Sequence, residues 1–512
     1  MEGKNKEGFA IEPLRELAAV GAIKTNSVRL WVRAEKPGRL KIRVEEKGNP
    51  SVFFEDELEI PENNDRDNTE SIEIPSEKKL KSFTKYHYKV FYDDAKNERL
   101  LGAGSFETAP SSKSEFPQNF AFGLMSCNQP FDESGKPLEN GKQMLIATKK
   151  ALNNHNVKMI FMGGDQMYSD YPESLSLFKK DYFKKLDCGK EDILDCSEDE
   201  IKRIYRKRYR YFWNIPEMHE IQKEYPSYMV LDDHDIIDNW GSAEEHQHPK
   251  WVKLGRAAID VYFDYQASRV LEERKRANED YHFKFSYANC AFFVMDLRTN
   301  RKFGENGQLF NDYQKDSFMD FLEEHKNKPA IFILMSVPLV FLPKFIAKLF
   351  SSVTASGEDF SDRWSTGEHV RDRDWMLKKL HEHQSKFPKQ KVVILSGDIH
   401  IGCAHRINWK KDPHEFYQFI SSGITNLNTP LVYWGSTTII KLNKKIETED
   451  EMVAADIHLL ENDGEEDENP LGALNFGVVE IDNSDFDDPK IEYFLYSHEG
   501  EEPKLKYKSV KI

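Results

Sequence analysis

The sequence predicts an α/β domain that follows an N-terminal β-sandwich. Residues 10–110 form short runs in which apolar and polar side chains alternate, as in half-buried antiparallel strands. From residue 118 onward, near-continuous apolar runs alternate with helical-looking segments, which is typical of a sheet covered by helices. The chain has 512 residues, too many for one ordinary domain, so its length also favours this division.

Four segments of the expected sandwich have the alternating pattern and are separated by polar, turn-prone stretches. They are SVRLWVRA (27–34), RLKIRVEE (39–46), SIEIP (71–75) and YHYKVFYD (86–93). The last of these lies within SFTKYHYKVFY, which resembles the sixth-strand signature of fibronectin type III domains. TAPSSKSEFP (108–117) then has the composition of a linker. We therefore place a fibronectin type III-like β-sandwich at residues 1–112 and a second domain at residues 113–512.

In the second domain, apolar runs predict buried strands and the segments between most of them predict helices. The expected strands are 119–126, 157–164, 225–232, 290–297, 330–337, 391–397 and 415–423. Helical patterns occupy 141–156 and 200–224. Residues 446–469 are strongly acidic, and we interpret them as an insertion or solvated loop within a region, 430–470, that matches no motif.

The bulk properties exclude some classes of protein. The net charge of −16 disfavours a general nucleic-acid binder, and the basic stretch 202–213 has the spacing of a solvated helix face. The five scattered cysteines imply no disulfide framework. The N-terminus lacks the apolar core of a signal peptide, and prolines and lysines interrupt the apolar stretch 334–350. We therefore expect a soluble protein, either cytoplasmic or a processed exported form, whose oligomeric state stays open.

Polar side chains that can bind metal ions follow at least four of the predicted strands. Each cluster alone is more often a turn, a helix cap or a buried apolar cysteine. Sites in open α/β sheets form at the carboxyl ends of strands, so together the clusters indicate one metal site. The residues concerned are Cys127 and Asn128; Asp165, Tyr168 and Asp170; Asp232, Asp233, His234 and Asp235; Asp296 and Arg298; and Asp398 and His400.

The residue types indicate which ions such a site would take. Thiolate, phenolate, carboxylate and imidazole together suit iron, whereas carboxylates and amides suit Ca²⁺, Mn²⁺ or Mg²⁺. Carboxylates gathered without a cation would repel one another and raise each other's pKa. Two ions that share a bridging aspartate can activate a water for in-line attack at phosphorus and stabilise charge on the phosphate oxygens.

Five segments, in order along the chain, carry a resemblance to a known family. Together they resemble the alkaline phosphatase D (PhoD-like) family of the calcineurin-like metallophosphoesterases, over residues 126 to about 426. The segments are SCNQP (126–130), GGDQMYSDY (163–171), LDDHDIIDNWG (231–241), MDLRTNR (295–301) with the following GQL, and LSGDIHIG (395–402) followed by FISSGITN (419–426).

The resemblance implies a four-layer α/β/β/α core and hydrolysis of phosphomonoesters or phosphodiesters. It implies Fe³⁺ and Ca²⁺ as cofactors, with Mn²⁺, Mg²⁺ or Zn²⁺ as other divalent ions. The ligands carried over for iron are Cys127, Asp165, Tyr168 and His400. Asp165 would bridge to a second ion held by Asp233 and Asp398.

The resemblance also assigns substrate contacts. His234 would contact the phosphate or the leaving oxygen, and Asn239 would be a ligand or a phosphate contact. Arg298 and Arg301 are expected phosphate clamps, because arginine presents a planar fork to phosphate oxygens. A surface salt bridge is the alternative for Arg301. Strand alternation would turn only one of the adjacent Asp232 and Asp233 toward the metals, and we choose Asp233 because it directly precedes His234.

Two other functions compete with a metal-dependent phosphodiesterase or alkaline phosphatase. One is a phosphomonoesterase similar to the purple acid phosphatases, with a different second metal. The other is a non-catalytic metal-binding module, in which an adhesion-type sandwich is fused to an inactive phosphatase fold. A phosphate mono- or diester is the expected substrate class, and residues 340–360 and 430–470, which match no motif, are expected to influence its choice.

Overall fold

The computed structural model describes residues 7–75, 79–93, 98–186, 188–275, 279–304, 307–341, 362–427 and 430–512. The apolar stretch 334–350 is therefore described only to residue 341, and most of the unmatched region 340–360 lies outside the described residues. Among the described helices, none has both the length and the apolar character needed to cross a membrane.

The N-terminal residues form the expected sandwich of two antiparallel sheets. With the strands numbered as at the end of this paragraph, the sheet orders are β1-β2-β5 and β4-β3-β6-β7. In the Lys85–Tyr92 strand the lysines and histidine are exposed while the alternate Tyr86, Tyr88 and Val90 are buried, as the sequence pattern predicts. The strands are β1 Leu17–Ile23, β2 Val28–Arg33, β3 Gly38–Glu46, β4 Asn49–Ile60, β5 Thr69–Ile74, β6 Lys85–Tyr92 and β7 Arg99–Glu107.

The seven expected strands of the α/β region are present, each shorter than its apolar run, and the described residues form eight further strands there. The strands are β8 Asn119–Met125, β9 Val157–Met162, β10 Ser227–Met229, β11 Phe283–Tyr287, β12 Cys290–Val294, β13 Ala330–Leu334, β14 Lys391–Ser396, β15 Cys403–Trp409, β16 Glu415–Ile420, β17 Lys445–Glu447, β18 Ala454–Leu459, β19 Asn462–Asp467, β20 Phe476–Asp482, β21 Lys490–Glu499 and β22 Glu502–Ser509.

The helices of this region lie between those strands. They are α1 Glu139–Asn154, α2 Lys180–Phe183, α3 Glu198–Phe212, α4 Pro216–Gln222, α5 Pro249–Tyr265, α6 Asp312–Glu324, α7 Val370–Lys386 and α8 Pro430–Leu442. Short 3₁₀ turns occupy Lys113–Glu115, Glu173–Leu175, Lys184–Leu186, Ile193–Asp195, Glu244–Gln247, Ala267–Arg269 and Gly367–His369.

The predicted helical segment 200–224 is two helices, because each has its own start signal. A capping box between Ser197 and Glu200 begins α3, and Pro216 occupies the first turn of α4. The basic stretch 202–213 lies in α3, where its arginines and lysines alternate with buried aromatic residues such as Tyr205 and Tyr209.

Two large sheets face each other in the α/β region. One has the order β10-β9-β8-β20-β21-β22-β19 and the other β11-β12-β13-β14-β16-β15-β18-β17. Aromatic rings from both fill the space between them, with Phe122 and Phe332 at 5.1 Å and Phe419 and Tyr493 stacked at 4.5 Å between centroids.

Helices cover the outer face of each sheet. Helices α1, α3, α4 and α5 share one core with β8 and β9, and α6 and α7 share another with β12, β13 and β14. The predicted four-layer α/β/β/α architecture is therefore confirmed. Within each sheet the central strands that precede the predicted site residues are parallel, so their carboxyl ends share one edge.

The acidic segment 446–469 contributes strands to the edges of both sheets and is not simply the solvated loop that its composition suggested. Strand β18 pairs with β15 and buries Ala455 and Ile457 on alternate positions, which supplies the apolar face that pairing needs. Strand β19 pairs with β22, and its carboxylates are exposed along the sheet edge, where charge discourages pairing with other chains.

The sandwich packs directly against the α/β region. Trp31 Nε1 on β2 donates a hydrogen bond of 2.8 Å to the backbone oxygen of Asp264 on α5. The buried Arg269 guanidinium lies 4.7 Å from the ring centroids of both Trp31 and Trp213. Gly21 permits this approach, because a Cβ there would lie 2.9 Å from the backbone carbonyl carbon of Arg269.

Candidate metal centre

Close backbone approach brings the carboxyl ends of β9 and β14 together from the two facing sheets. A Cβ on Gly397 would lie 2.6 Å from the carbonyl oxygen of Gly163, so a larger residue would push the sheets apart. Asp398 follows Gly397 directly, and Asp165 lies two residues after Gly163. The loops that carry the two carboxylates are therefore held at one place.

The four residues expected to hold iron lie together in the structure. Cys127 Sγ lies 3.4 Å from Asp165 Oδ2, and the Tyr168 hydroxyl donates a hydrogen bond of 3.3 Å to the same oxygen. His400 Nε2 lies 3.5 Å from the Tyr168 hydroxyl. Ligand atoms of Cys127, Asp165 and His400 are all within 4.8 Å of one another, which is the spacing that one shared ion requires.

A second group of carboxylates lies beside the first. Oxygens of Asp232, Asp233 and Asp398 are within 4.8 Å of one another, and a further group of the same size unites Asp165 and Asp233 with His234. The expectation that only one of Asp232 and Asp233 faces the site is therefore wrong. Strand β10 ends at Met229, so the two aspartates lie in a loop and the alternation of an extended strand does not apply.

Five of the predicted site residues have a left-handed backbone conformation. A positive φ is uncommon for residues other than glycine and persists where the surrounding structure enforces it. Several turns of this kind occur at one edge of the sheets. The loop conformations therefore direct the side chains toward one another at the cost of local backbone strain. The φ values are 58° for Cys127, 55° for Asp165, 57° for Asn239, 69° for Asp398 and 52° for His400.

Burial makes negative charge costly at this place. Burial and the neighbouring Cys127 and Asp232 raise the pKa of Asp165 well above its ordinary value. Burial and the neighbouring Asp233, opposed by Arg298, together raise the pKa of Asp232 to about 6. Burial and Asp165 likewise raise the pKa of the Tyr168 hydroxyl. A bound cation would reverse these shifts by stabilising every anionic form.

The residues present fit metal ions. Three buried carboxylate oxygens, Asp165 Oδ1, Asp232 Oδ2 and Asp233 Oδ1, have no hydrogen-bond partner among the residues that the structure describes. Buried carboxylate oxygens are normally hydrogen-bonded or coordinate a metal ion. Orphaned oxygens, a buried thiol and an imidazole in mutual reach together provide a donor set for two ions.

His234 lies at the edge of this centre and is oriented by Asp170. Its Nδ1 lies 2.8 Å from Asp170 Oδ1, and its ring stacks on Tyr168 at 4.3 Å between centroids. Burial alone would lower the pKa of His234, but Asp170, Asp233 and Asp165 outweigh it and raise the pKa well above the ordinary value. Asp170 is one of the polar residues after β9, yet the sequence assigned it no role.

Asn239 supports the carboxylate group through its backbone. Its N–H donates a hydrogen bond of 2.7 Å to Asp233 Oδ2, and its side chain is almost fully buried beside the site. The structure therefore places Asn239 beside Asp233, and its role as a ligand or a phosphate contact stays a prediction.

Arg298 and Arg301 occupy positions that differ from those expected of phosphate clamps. Arg298 Nε lies 2.5 Å from Asp232 Oδ1, and its two terminal nitrogens bond both oxygens of Asp362 at 2.6 and 2.8 Å. Arg301 Nη2 donates to the backbone oxygen of Asp362 at 2.7 Å. Both arginine side chains are fully buried, so the surface salt bridge considered for Arg301 is also wrong.

The sequence of this chain matches the model of a known protein family. The model described as PhoD-like phosphatase matches residues 122–460, which include all the predicted ligands from Cys127 to His400. The chain belongs to the PhoD-like phosphatase family. The resemblance inferred from the five sequence segments is thereby confirmed.

Two relatives place this PhoD-like phosphatase among known proteins. A solved structure of PhoD superposes with a TM-score of 0.67 at 15% identity, covering 98% of this chain and 90% of that one, and it shows that the two share their fold. An uncharacterized protein of Saccharomyces cerevisiae is 24% identical over an alignment of 330 residues that covers 50% of this chain. The chain spans about half the length of that curated relative, since the match covers 46% of it.

Some residues of the PhoD-like site were not predicted. The Asn426 amide donates a hydrogen bond of 3.2 Å to the Tyr168 hydroxyl and lies 3.5 Å from His400 Nε2. Its position in FISSGITN, one of the matching segments, was the available signal. Asp362 and the adjacent Arg363 gave no signal, because they lie far from Arg298 in sequence and outside every matching segment.

Replacing Asp362 with asparagine is expected to lower the free energy of unfolding of this PhoD-like phosphatase by about 3–5 kcal/mol, because it leaves buried arginines without their anion. Burial would raise the pKa of Asp362, but Arg298 and Arg301 outweigh it and hold the pKa well below its ordinary range. Urea unfolding measures the loss. The exposed Asp320→Asn is the matched control, and a loss of stability no larger than in this control would contradict the structural role.

Proposed function

We propose that this PhoD-like phosphatase hydrolyses phosphate esters at a centre of two metal ions. The observation that carries the proposal is the position of Asp165, which belongs both to the group with Cys127 and His400 and to the group with Asp233 and His234. A carboxylate shared between two groups can bridge two ions.

The donor types support a different ion on each side. We propose Fe³⁺ for the side formed by Cys127, Tyr168 and His400, since thiolate, phenolate and imidazole suit a Lewis-acidic transition metal. We propose Ca²⁺, or another divalent ion such as Mn²⁺, Mg²⁺ or Zn²⁺, for the side formed by Asp233 and Asp398 with Asp232. When bound, the ions supply a water of lowered pKa and positive charge opposite the phosphate oxygens.

His234 would act as the general acid for the leaving group. Asp170 holds the ring through Nδ1 and leaves Nε2, which lies 3.7 Å from Asp238 Oδ1, as the nitrogen that can carry the transferable proton. The Asp170 carboxylate favours the protonated imidazole. A protonated His234 can give its proton to the leaving oxygen of the ester. Asn239 is proposed as a further ligand or phosphate contact beside Asp233.

The experiment that tests the proposed function compares hydrolysis of bis(p-nitrophenyl) phosphate and p-nitrophenyl phosphate by the metal-loaded protein. Turnover of the diester at a rate at least comparable with that of the monoester would support a phosphodiesterase. Turnover of the monoester alone would favour the monoesterase alternative. Metal binding without turnover of either compound would contradict the proposal and favour a non-catalytic module.

We also propose that the chain divides into two domains, residues 1–112 and residues 113–512.

Cys127→Ala is expected to abolish binding of iron and to remove any visible charge-transfer absorbance, because the variant lacks the sulfur ligand of the buried donor set. The visible spectrum and the iron content per chain measure this. Cys290→Ala is the matched control, since Cys290 is equally buried but lies in strand β12 away from the cluster. A variant that retains both iron and absorbance would show that Cys127 is not a ligand.

A further inference from the structure

Arg298 is bonded through its guanidinium to Asp232 and Asp362. Arg301 contacts Asp362 through Nη2, while its Nε and Nη1 have no hydrogen-bond partner among the described residues. Arg363, the next residue along the chain, extends to the metal centre. Its Nη1 forms an ion pair with Asp398 Oδ2, an oxygen of the carboxylate group described above. Its side chain is 16% exposed, whereas those of Arg298 and Arg301 are fully enclosed.

The backbone on either side of Arg363 is fixed while the guanidinium stays at the surface of the site. Asp362 is held by Arg298, Arg301 and the Ser242 hydroxyl, which donates a hydrogen bond of 2.8 Å. On the other side, Trp364 Nε1 donates a hydrogen bond of 3.1 Å to the backbone oxygen of Val337. The backbone of Arg363 is therefore held rigidly beside the metal centre, and its guanidinium can still change partner.

The Arg363 guanidinium is in direct contact with the Asp398 carboxylate. The guanidinium also lies 5.6 Å from the centroid of the Phe341 ring, a contact that does not depend on Asp398. Arg363 is therefore held near the centre by more than its ion pair.

An ion held by Asp398 Oδ2 would take the oxygen that Arg363 contacts. Like charges at close range repel, so such an ion would displace the guanidinium, which would then need another anion within a few ångströms. A phosphate group at the centre supplies that anion, and its non-bridging oxygens match the planar fork of an arginine.

We propose that Arg363 is a substrate-binding residue, which releases Asp398 to the second metal ion and contacts the non-bridging oxygens of the substrate phosphate. This inference rests on the proposed function, since it requires a metal-loaded phosphoesterase centre. It also assigns to Arg363 the phosphate recognition that the sequence had assigned to Arg298 and Arg301. The same contact would hold inorganic phosphate, the product of monoester hydrolysis.

Arg363→Gln tests the inference by direct binding, without measuring turnover. Isothermal titration calorimetry of the Mn²⁺-loaded protein with inorganic phosphate is expected to show an affinity about ten- to a hundredfold weaker than in the wild type, the usual effect of a lost charge-assisted hydrogen bond. Arg363→Lys should lie between the two, since it keeps the charge and loses the fork. Titration with Mn²⁺ alone should show affinity equal to or tighter than wild type, because Asp398 loses a competitor.

Arg256→Gln is the matched control, since Arg256 is 64% exposed and pairs with Glu198 at the surface. Unchanged phosphate affinity in Arg363→Gln, with metal binding and hydrolysis intact in the wild type, would overturn the inference alone. Weaker Mn²⁺ binding in the variant would also overturn it, because Arg363 would then support the metal ligand instead of competing for it. A wild-type protein that binds neither Mn²⁺ nor phosphate would contradict the proposed function itself, and the inference with it.

Discussion

Asp165→Asn is expected to abolish hydrolysis and, at the same time, to stabilise the metal-free protein. Asp165 is the carboxylate shared by two of the candidate metal groups, so losing its charge weakens the binding of both ions. Loss of the metal contribution to the transition state would lower kcat/KM by about a thousandfold or more. Without metal, however, the buried carboxylate is unfavourable, as its strongly raised pKa indicates, and an asparagine of the same shape removes that penalty.

Two measurements separate these effects. Thermal unfolding in a chelator should give a higher Tm for Asp165→Asn than for the wild type, and addition of metal ions should raise the Tm of the wild type only. Asp487→Asn, at a carboxylate whose side chain is 89% exposed, should change neither Tm nor turnover. Equal metal-dependent stabilisation of Asp165→Asn and wild type would show that Asp165 does not bridge the ions.

His234→Gln is expected to lower kcat by about a hundred- to ten-thousandfold for esters with poor leaving groups, the usual contribution of a general acid. For p-nitrophenyl esters the loss should be much smaller, because p-nitrophenolate leaves without protonation. The structural basis is the pair of His234 Nδ1 with Asp170 Oδ1 at 2.8 Å, because the Asp170 carboxylate stabilises the protonated imidazole.

The measurement is kcat for a series of aryl phosphate esters that differ in the pKa of the leaving phenol. The dependence of kcat on that pKa should be steeper in His234→Gln than in the wild type. His458→Gln, at an exposed histidine on strand β18, is the matched control. An equal loss for every ester would show that His234 contacts the phosphate and does not protonate the leaving oxygen.

The sequence predicted the strands and the ligand-bearing loops because both depend on local pattern. Apolar runs followed by short polar clusters are enough to locate Cys127, Asp165 and His400. Parallel strands bring their carboxyl ends to one edge, so convergence of these residues followed from topology. The left-handed φ values of the candidate ligands could not be foreseen, since they depend on contacts across the two sheets.

Prediction failed where the partner of a residue lies far away in sequence. Arg298 has the position and the chemistry of a phosphate clamp, but Asp362 occupies its guanidinium from a segment without a recognisable motif. The pattern of the acidic segment 446–469 also misled, because net charge obscured the alternate apolar residues Ala455 and Ile457 that pair it to a sheet. The acidic composition reflects the exposed residues of these strands, and it gave no indication of the apolar residues that are buried.

The metal content of the purified protein, determined by mass spectrometry after reconstitution with iron and calcium, tests the central claim most directly. If Asp165 bridges two ions, we expect about two metal ions per chain, one of them iron. A protein that remains free of metal under these conditions would contradict the account, because the buried and orphaned oxygens of Asp165, Asp232 and Asp233 would then have another explanation.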